Sequence, residues 1–459
     1  MKAIDPVLKE IASIFTRNGK EIYLVGGAVR DMIRHPFRRG KNVHDWDLAT
    51  NALPEEVTAI VRKAGGKVIP TGIKHGTVTV LYKDESCEVT TFRTESDYSD
   101  GRRPDKVEYT GKIEEDLSRR DFTMNAIALR LPDGKLIDPF GGKKDIKAKI
   151  IRCVGNAAQR FSEDGLRPMR AVRFAAQLGF KIEKDTLDSI NGALPVSAKV
   201  SWERVRDEID KILSSSVPSQ GFRLMEITGL LELFLGELAA CRNIDQKGFH
   251  HFDVLDHSLL ACDYTAKNNF SHELRLAALF HDIGKPSVRK MDEESGVWTF
   301  YRHEEVSADM CRSIFTRMKY PNAIIDKTCH LVKEHMFMYT DNWSDSAVRR
   351  FIARVGEEHL DDIYRLRRAD IFGFSGKNPD YRSLKQLVDR VNKILLSGRA
   401  FTVKDLAITG NDLMAIGIPS GKMMGIILHE LVETVLDDPA QNTQEKLLEI
   451  AERIFREKN

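Results

Sequence analysis

The 459-residue sequence predicts an α+β chain, a small mixed α/β head followed by a long all-α remainder. Three observations predict it. Strand-type alternation is confined to the first 150 residues or so. Beyond residue 155 the apolar residues recur at helical spacing. The length allows several cores, yet no internal repeat or low-complexity tract appears. Composition closes off other classes: 42% hydrophobic with 30% charged residues excludes wholesale disorder. No apolar run approaches the roughly 18 residues that cross a bilayer. Seventy Lys and Arg against 68 Asp and Glu leave a net charge of +2, so any nucleic acid is held by local patches. Six scattered cysteines without a C-x-x-C pair argue against a thiolate zinc site and for reduced thiols in a cytoplasmic protein. The opening MKAIDPVLKE sets Asp5, Pro6 and Glu10 where a secretory leader needs an apolar core.

The elements follow in order. Val7, Leu8, Ile11, Ile14 and Phe15 make an amphipathic helix. Ile22 to Val25 is a buried strand, which Gly26-Gly27 turns into a second helix. Alternation in Thr77 to Leu81 and in Cys87 to Phe92, around polar Lys83-Asp84-Glu85-Ser86, predicts an antiparallel hairpin. Glu95 to Asp105, with Gly101 and Pro104, reads as a loop. Arg170 to Leu178, Trp202 to Leu213 and Leu274 to Phe280 carry helical spacing, with Gly179, Gly229, Gly236 and Gly417 as stops or kinks. The expected division is a head over 1–145, a helical neck over 146–215, a body over 216–375 with an embedded module at about 250–372, and a helical tail over 376–459.

Two short stretches of the head carry chemistry. In Asp45-Trp46-Asp47 an extended backbone points both carboxylates to one face, an arrangement easiest to keep around a divalent cation. A hard Mg²⁺ held by one or two carboxylates plus substrate phosphates is the expected occupant. Glu88, on the neighbouring hairpin, is a candidate third carboxylate. Upstream, Tyr23 to Asp31 reads strand, glycine turn, helix: Gly27 lets backbone N–H groups approach a phosphate, and Arg30 can add a bidentate contact. The bland alternatives are an exposed acidic pair and a tight turn beside a solvated face.

LVGGAVRD followed by D-x-D resembles the head of the bacterial-type (class II) tRNA nucleotidyltransferases, within the polymerase-beta-like nucleotidyltransferase superfamily. Arg119-Arg120-Asp121-Phe122-Thr123-Met124-Asn125-Ala126 resembles that family's ribose-recognition motif, Asp138-Pro139-Phe140-Gly141-Gly142 the connection after it, and Glu163-Asp164-Gly165-Leu166-Arg167 its nucleotide-selecting motif. Thr409 to Met414 and Gly417-Ile418-Pro419 resemble its body-to-tail segment. The resemblance implies a palm-like head, template-independent addition or repair of the 3′-terminal CCA of tRNA from CTP and ATP, and release of pyrophosphate. It implies Asp45 and Asp47 on Mg²⁺, Gly27 and Arg30 on the triphosphate, and Arg120 and Asp121 on phosphate and the ribose 2′-hydroxyl. It also implies helices of the body and tail gripping tRNA by shape.

The selecting motif reads chemically as well. An ionised Asp only accepts hydrogen bonds and an Arg only donates, so Asp164 and Arg167, three apart on a helix face, match the amino and ring-nitrogen edge that cytosine and adenine share. Guanine and uracil reverse that edge. Arg170 and Arg173 continue the spacing toward the triphosphate; the plain alternative is an intrahelical ion pair. An intact Arg93 to Glu108 stretch disfavours a CC-only enzyme, and the head stretch Gly72-Ile73-Lys74-His75-Gly76-Thr77 with a C-terminus of mixed charge favours tRNA over poly(A) tails. An A-only enzyme shares the same core motifs and stands as the alternative.

A second constellation is His257, His281-Asp282, His303, His335 and Asp370. Phe280-His281-Asp282-Ile283-Gly284-Lys285 resembles the signature of HD-type metal phosphohydrolases. The resemblance implies a second divalent or transition metal on His257, His281, Asp282 and Asp370, with the pair His-Asp adjacent on a helix and Lys285 facing a phosphate. Phosphatase or 2′,3′-cyclic phosphodiesterase chemistry would go with it, set against histidines that are merely packed. A rival reading makes this module the principal activity and the head a nucleotide sensor; a third makes the chain a non-catalytic tRNA-binding protein.

Overall fold

The computed structural model describes residues 5–35, 46–96, 106–246, 252–377, 379–397 and 402–458. The chain forms two compact units, Met1–Ala239 and Ala240–Asn459.

The first unit opens on the expected amphipathic helix, Pro6–Arg17, capped by the Asp5 carboxylate, which accepts from the Val7 amide at 2.8 Å. Its strands are β1 (Ile22–Val25), β2 (Trp46–Thr50), β3 (Lys67–Gly72), β4 (Thr77–Tyr82), β5 (Glu85–Thr91), β6 (Arg93–Ser96), β7 (Lys106–Tyr109), β8 (Ala128–Arg130) and β9 (Leu136–Ile137). Seven of them form a mixed sheet in the order β3-β4-β5-β2-β1-β8-β9. Strands β2 and β5 run parallel, whereas the other neighbours are antiparallel. Every residue of β1 is buried. Tyr23 and Val25 pack into one cluster with Ala49, Phe92, Leu117 and Ala128, while Leu24, Leu48 and Leu129 on the alternate positions are buried too. A central strand covered on both faces reads as an unbroken apolar run, which is why Ile22 to Val25 was legible without alternation.

The hairpin β4–β5 forms with Thr77 opposite Thr90 and Tyr82 opposite Glu85. Its turn is narrower than expected: Glu85 and Ser86 belong to β5, and the reversal falls on Lys83-Asp84, with Lys83 at φ 54. Glu95 and Ser96, expected in a loop, lie in β6 opposite Val107 and Lys106 of β7. Ion pairs from Arg93 and Arg119 hold the Glu95 carboxylate. The rest of that expected loop, 97–105, lies outside the described residues, as does Asp45.

Beyond residue 155 helices dominate, and Arg167–Leu178, Trp202–Leu213 and His272–Phe280 fall where the spacing put them. Gly179, Gly229 and Gly417 take positive φ as helix punctuation, whereas Gly236 begins a short helix, Gly236–Ala239. Two small ladders interrupt the all-α expectation: Ile150–Ile151 beside Lys181–Ile182, and Lys290–Met291 beside Trp298–Thr299. Each is two residues long, below the length at which alternation is legible.

The second unit packs Val254–Lys267, His272–Phe280, His303–Arg317, Asn322–Glu334 and Leu360–Ser375 around a buried centre. A separate core of Leu413, Ile427, Leu431, Val435, Leu447 and Ala451 joins its last helices. Among the described residues no helix is long and apolar enough to cross a membrane. The six cysteines are buried free thiols.

Candidate active site and a buried histidine cluster

Strand β1 leaves the sheet at Gly26, whose φ of +71 suits glycine, and the helix Gly27–Arg34 starts at once. A Cβ at Gly26 would stand 3.2 Å from Asp47 Oδ2 and 3.5 Å from Arg120 Nη1. The turn, the acid and the arginine thus meet at one point. Asp47 on β2 and Glu88 on β5 are register partners across the parallel pair, so their side chains rise from the same face. Both are exposed. Two acids side by side, with a glycine turn and an arginine against them, suit a hard cation carrying phosphates.

Around this point the charges are locked together. Arg30 donates from Nε and Nη2 to the Asp31 carboxylate, each at 3.0 Å, and from Nη1 to Asn125 Oδ1 at 3.1 Å. Arg120 pairs with buried Asp116 at 3.3 Å, which also takes Arg119 at 2.8 Å. Asp121 is buried: its Oδ1 accepts from the Phe122 amide and Asn125 Nδ2 at 2.8 and 3.2 Å, and its Oδ2 from Arg170 Nε at 2.8 Å. Burial alone would raise that carboxyl; the Arg170 guanidinium and the Asn125 hydrogen bond override it and hold it at about 2. Arg120 and Asp121 are therefore tied into the fold by ion pairs and are not free surface charges.

Arg170, Arg173 and Arg30 gather around the Phe174 ring, with guanidinium carbons 5.5, 3.7 and 5.2 Å from its centroid. Arg173 is buried and pairs with Glu208. The motif at 163–167 differs from expectation. Asp164 and Arg167 are not neighbours on one helix face: one helix ends at Glu163, Asp164 is extended, and the next helix begins at Arg167. Pro168, in that helix's first turn, is well placed at a start and not in an interior. Asp164 instead accepts from Arg204 Nη2 at 2.9 and 3.2 Å, and Arg167 Nη1 donates to Glu163 at 2.6 Å and to the Arg160 carbonyl at 2.8 Å. Arg204, Glu208, Asn125 and Phe174 were missed. Asn125 lay in a motif already singled out; the others had no local signal.

In the second unit four histidines and two aspartates converge. His257 comes from Val254–Lys267 and Asp370 from Leu360–Ser375. His281 and His335 cap the ends of His272–Phe280 and Asn322–Glu334, while His303 begins His303–Arg317. The pair His281-Asp282 sits just past its helix, not on it. All six are buried. The Nδ1 atoms of His281, His303 and His335 face the carbonyls of Ala278, Phe300 and Val332 at 2.9, 2.9 and 2.6 Å. A carbonyl only accepts, so each Nδ1 carries hydrogen, and each ring turns its Nε2 inward. Lys285, expected to face a phosphate, is buried and donates to Asp282 Oδ2 at 2.7 Å and Gln246 Oε1 at 2.6 Å.

Comparison with known proteins gives three family-model matches: the poly A polymerase head domain over residues 22–152, an RNA and SrmB binding site of polymerase A over 179–241, and tRNA nucleotidyltransferase domain 2 over 289–451. The CCA-adding enzyme of Lactobacillus johnsonii is 34% identical over 97% of this chain and 95% of its own. That of Enterococcus faecalis is 34% identical over 98% and 96%. The crystal structure of the Bacillus stearothermophilus CCA-adding enzyme in complex with CTP superposes with a TM-score of 0.72 at 29% identity, covering 99% of each chain. The Thermotoga maritima enzyme complexed with tRNA shares the fold at a TM-score of 0.56 and 19% identity.

Proposed function

The chain belongs to the CCA-adding tRNA nucleotidyltransferases, and we propose that the glycine turn of its head is where the 3′-terminal CCA of tRNA is built or repaired from CTP and ATP. Enzymes of this kind use a divalent metal; our assignment is Mg²⁺ on Asp45 and Asp47, with Glu88 beside them. When bound, the ion supplies Lewis-acid activation of the attacking hydroxyl and stabilisation of the leaving pyrophosphate. The convergence of Asp47 and Arg120 on Gly26, with Glu88 in register, carries this reading.

The residues divide the work. Amides of the turn at Gly27 and the guanidinium of Arg30 seat the triphosphate, with Arg120 as a second phosphate donor. Asp121, kept ionised by Arg170, is an acceptor for the ribose 2′-hydroxyl. Arg170 and Arg173 present a positive face whose members are fixed by Asp121, Glu208 and Phe174, so little ordering is left to pay for on binding. Asp164 and Arg167 read the base: Glu163 and the Arg160 carbonyl hold the Arg167 guanidinium, and Asp164 lies extended in the break between the two helices. Both must exchange present partners for the base edge, Asp164 giving up Arg204. The tRNA 3′-hydroxyl then attacks the α-phosphorus in line, one P–O bond forms, another breaks, and pyrophosphate leaves. We assign nucleotide selection to a neck over 146–215 and tRNA grip to the body and tail, in the cytoplasm where tRNA is found.

Incubation with tRNA lacking CCA and labelled CTP and ATP tests this. We expect CTP addition followed by ATP, and Asp47→Asn to lower the rate at least 100-fold. No extension with either nucleotide would overturn the reading, and ATP addition only after CC is present would restrict it to A.

A second reading concerns the other unit, where inward-facing Nε2 atoms favour a divalent or transition metal on His257, His281, Asp282 and Asp370. It accompanies nucleotidyl transfer as a separate site.

A further inference from the structure

We infer that the open face of the head sheet beside the acids is the bed for the last nucleotide already on the tRNA, and that Thr79 reads its 2′-hydroxyl. The inference rests on the nucleotidyl-transfer reading above and adds to it the residues that position the attacking end of the RNA.

Strand register lays out one row across four strands. Asp47 on β2 faces Glu88 on β5, Glu88 faces Thr79 on β4, and Thr79 faces Ile69 on β3. Residues in register on neighbouring strands share a face, so the row runs from two carboxylates through a hydroxyl to an apolar side chain. At about 4.8 Å per strand, Thr79 stands about 5 Å beyond Glu88 and about 10 Å from Asp47. The Oγ1 atoms of Thr71 and Thr79 are hydrogen-bonded at 2.9 Å, which ties the Thr79 hydroxyl to the β3 edge. This is the open face. Val78, Val80 and Val89, on the intervening positions, are buried, whereas Asp47, Glu88 and Thr71 are exposed and Thr79 is half-buried. Ile69, at 45% exposure, leaves apolar surface in water beside the hydroxyls.

The direction of attack selects the occupant. In the order β3-β4-β5-β2-β1, the glycine turn that seats the triphosphate follows β1, on one side of the acids. Asp121 belongs to that side too, since Asn125 bridges it to Arg30 of the helix after β1. In-line transfer sets the attacking oxygen and the leaving pyrophosphate on opposite sides of the α-phosphorus. With pyrophosphate on the β1 side, the 3′-hydroxyl enters from β5 and β4, and the ribose that carries it lies over Thr79. A threonine hydroxyl both donates and accepts, which is the pairing a 2′-hydroxyl needs, and that group is what separates RNA from DNA at a given site. Ile69 offers apolar surface to the ribose and base edge beside it.

The test is extension by the full chain of tRNA ending in CC, with labelled ATP, comparing a terminal ribose with a terminal 2′-deoxyribose in otherwise identical RNA. The parent chain should favour the ribose end about tenfold in kcat/KM, the scale of one hydrogen bond. Thr79→Val keeps the β-branched shape that suits a strand. It should abolish the preference by slowing the ribose end to the rate of the deoxyribose end, whereas Thr79→Ser should retain it. Ile69→Ser, at an exposed position, should raise the KM for tRNA about fivefold and leave the KM for ATP unchanged. A preference retained in Thr79→Val would overturn the assignment of Thr79. So would a parent chain indifferent to the terminal 2′-hydroxyl, a result that needs no variant to fold. An unchanged KM for tRNA in Ile69→Ser would overturn the bed. A parent chain that extends neither end would overturn the nucleotidyl-transfer reading along with this one.

Discussion

Asp121 shows how much of the head's chemistry is decided by one carboxylate's surroundings. Its folded pKa of about 2 lies below the usual aspartate value of about 3.9, because Arg170 and Asn125 outweigh burial. A depressed folded pKa adds stability above the unfolded value and loses it as pH falls through the folded one. The window therefore runs from about pH 4 down to about pH 2, and the contribution at neutral pH is about 2.5 kcal/mol. Asp121→Asn should lower the urea midpoint at pH 7, with the gap from the parent chain narrowing as pH drops toward 2. A gap independent of pH would show that the carboxylate's charge is not what stabilises the fold. The same substitution leaves half-buried Arg170 without its charged partner, so nucleotide affinity should weaken together with stability, read as a raised KM for CTP and ATP. At this scale the sequence was informative about identity and poor about partners. Asp164 and Arg173 could be singled out by motif and spacing, but their partners Arg204 and Glu208 lie 40 and 35 residues away in the chain. No local pattern announces such a pairing.

Elements explain why the selecting motif departs from its predicted geometry. Three-residue spacing suggested one continuous helix through Asp164 and Arg167, and spacing is blind to the break at Gly165 and Pro168. Gly165 is there because the chain passes close to other backbone: an added Cβ would sit 2.5 Å from the Val196 carbonyl oxygen and 2.7 Å from its carbon. Backbone cannot yield as a side-chain tip can. Gly165→Ala should therefore destabilise the first unit by about 2–3 kcal/mol, the scale of overpacking. Because the displaced segment carries Asp164 and Arg167, it should also raise misincorporation of UTP and GTP relative to CTP. Thermal unfolding with a four-nucleotide addition assay checks both; unchanged selectivity in a destabilised protein would separate the break from base reading. At Gly26 the objection is different. Gly26→Ala meets positive φ as well as Asp47 and Arg120, and it should cut CTP and ATP addition more than it lowers the melting temperature. The strands were legible because burial on one or both faces writes itself into alternation or into unbroken apolar runs, as at β4 and β1. The two-residue ladders and the position of the β4–β5 turn were not, since register depends on a partner strand that spacing alone does not specify.

For the whole molecule, the question is whether the two units run one chemistry or two. The acids, the glycine turn and the arginines of the head all come from Met1–Ala239, and the six residues of the histidine cluster all come from Ala240–Asn459. Each set is complete within its own unit. Belonging to the CCA-adding family fixes the activity of the first, which leaves the rival reading, a head that only senses nucleotide for the histidine module, to be tested directly. His257→Ala, His281→Ala removes two of the inward Nε2 donors. It should leave CTP and ATP incorporation into tRNA within about twofold of the parent, provided circular dichroism shows the helices intact, because no group that touches nucleotide is altered. Asp47→Asn should do the converse, abolishing addition while the Mn²⁺ content of the second unit stays the same. If instead the histidine variant, folded, loses CCA addition, the two sites are coupled. The free energy lost would then measure that coupling, about 1.4 kcal/mol for each tenfold fall in rate.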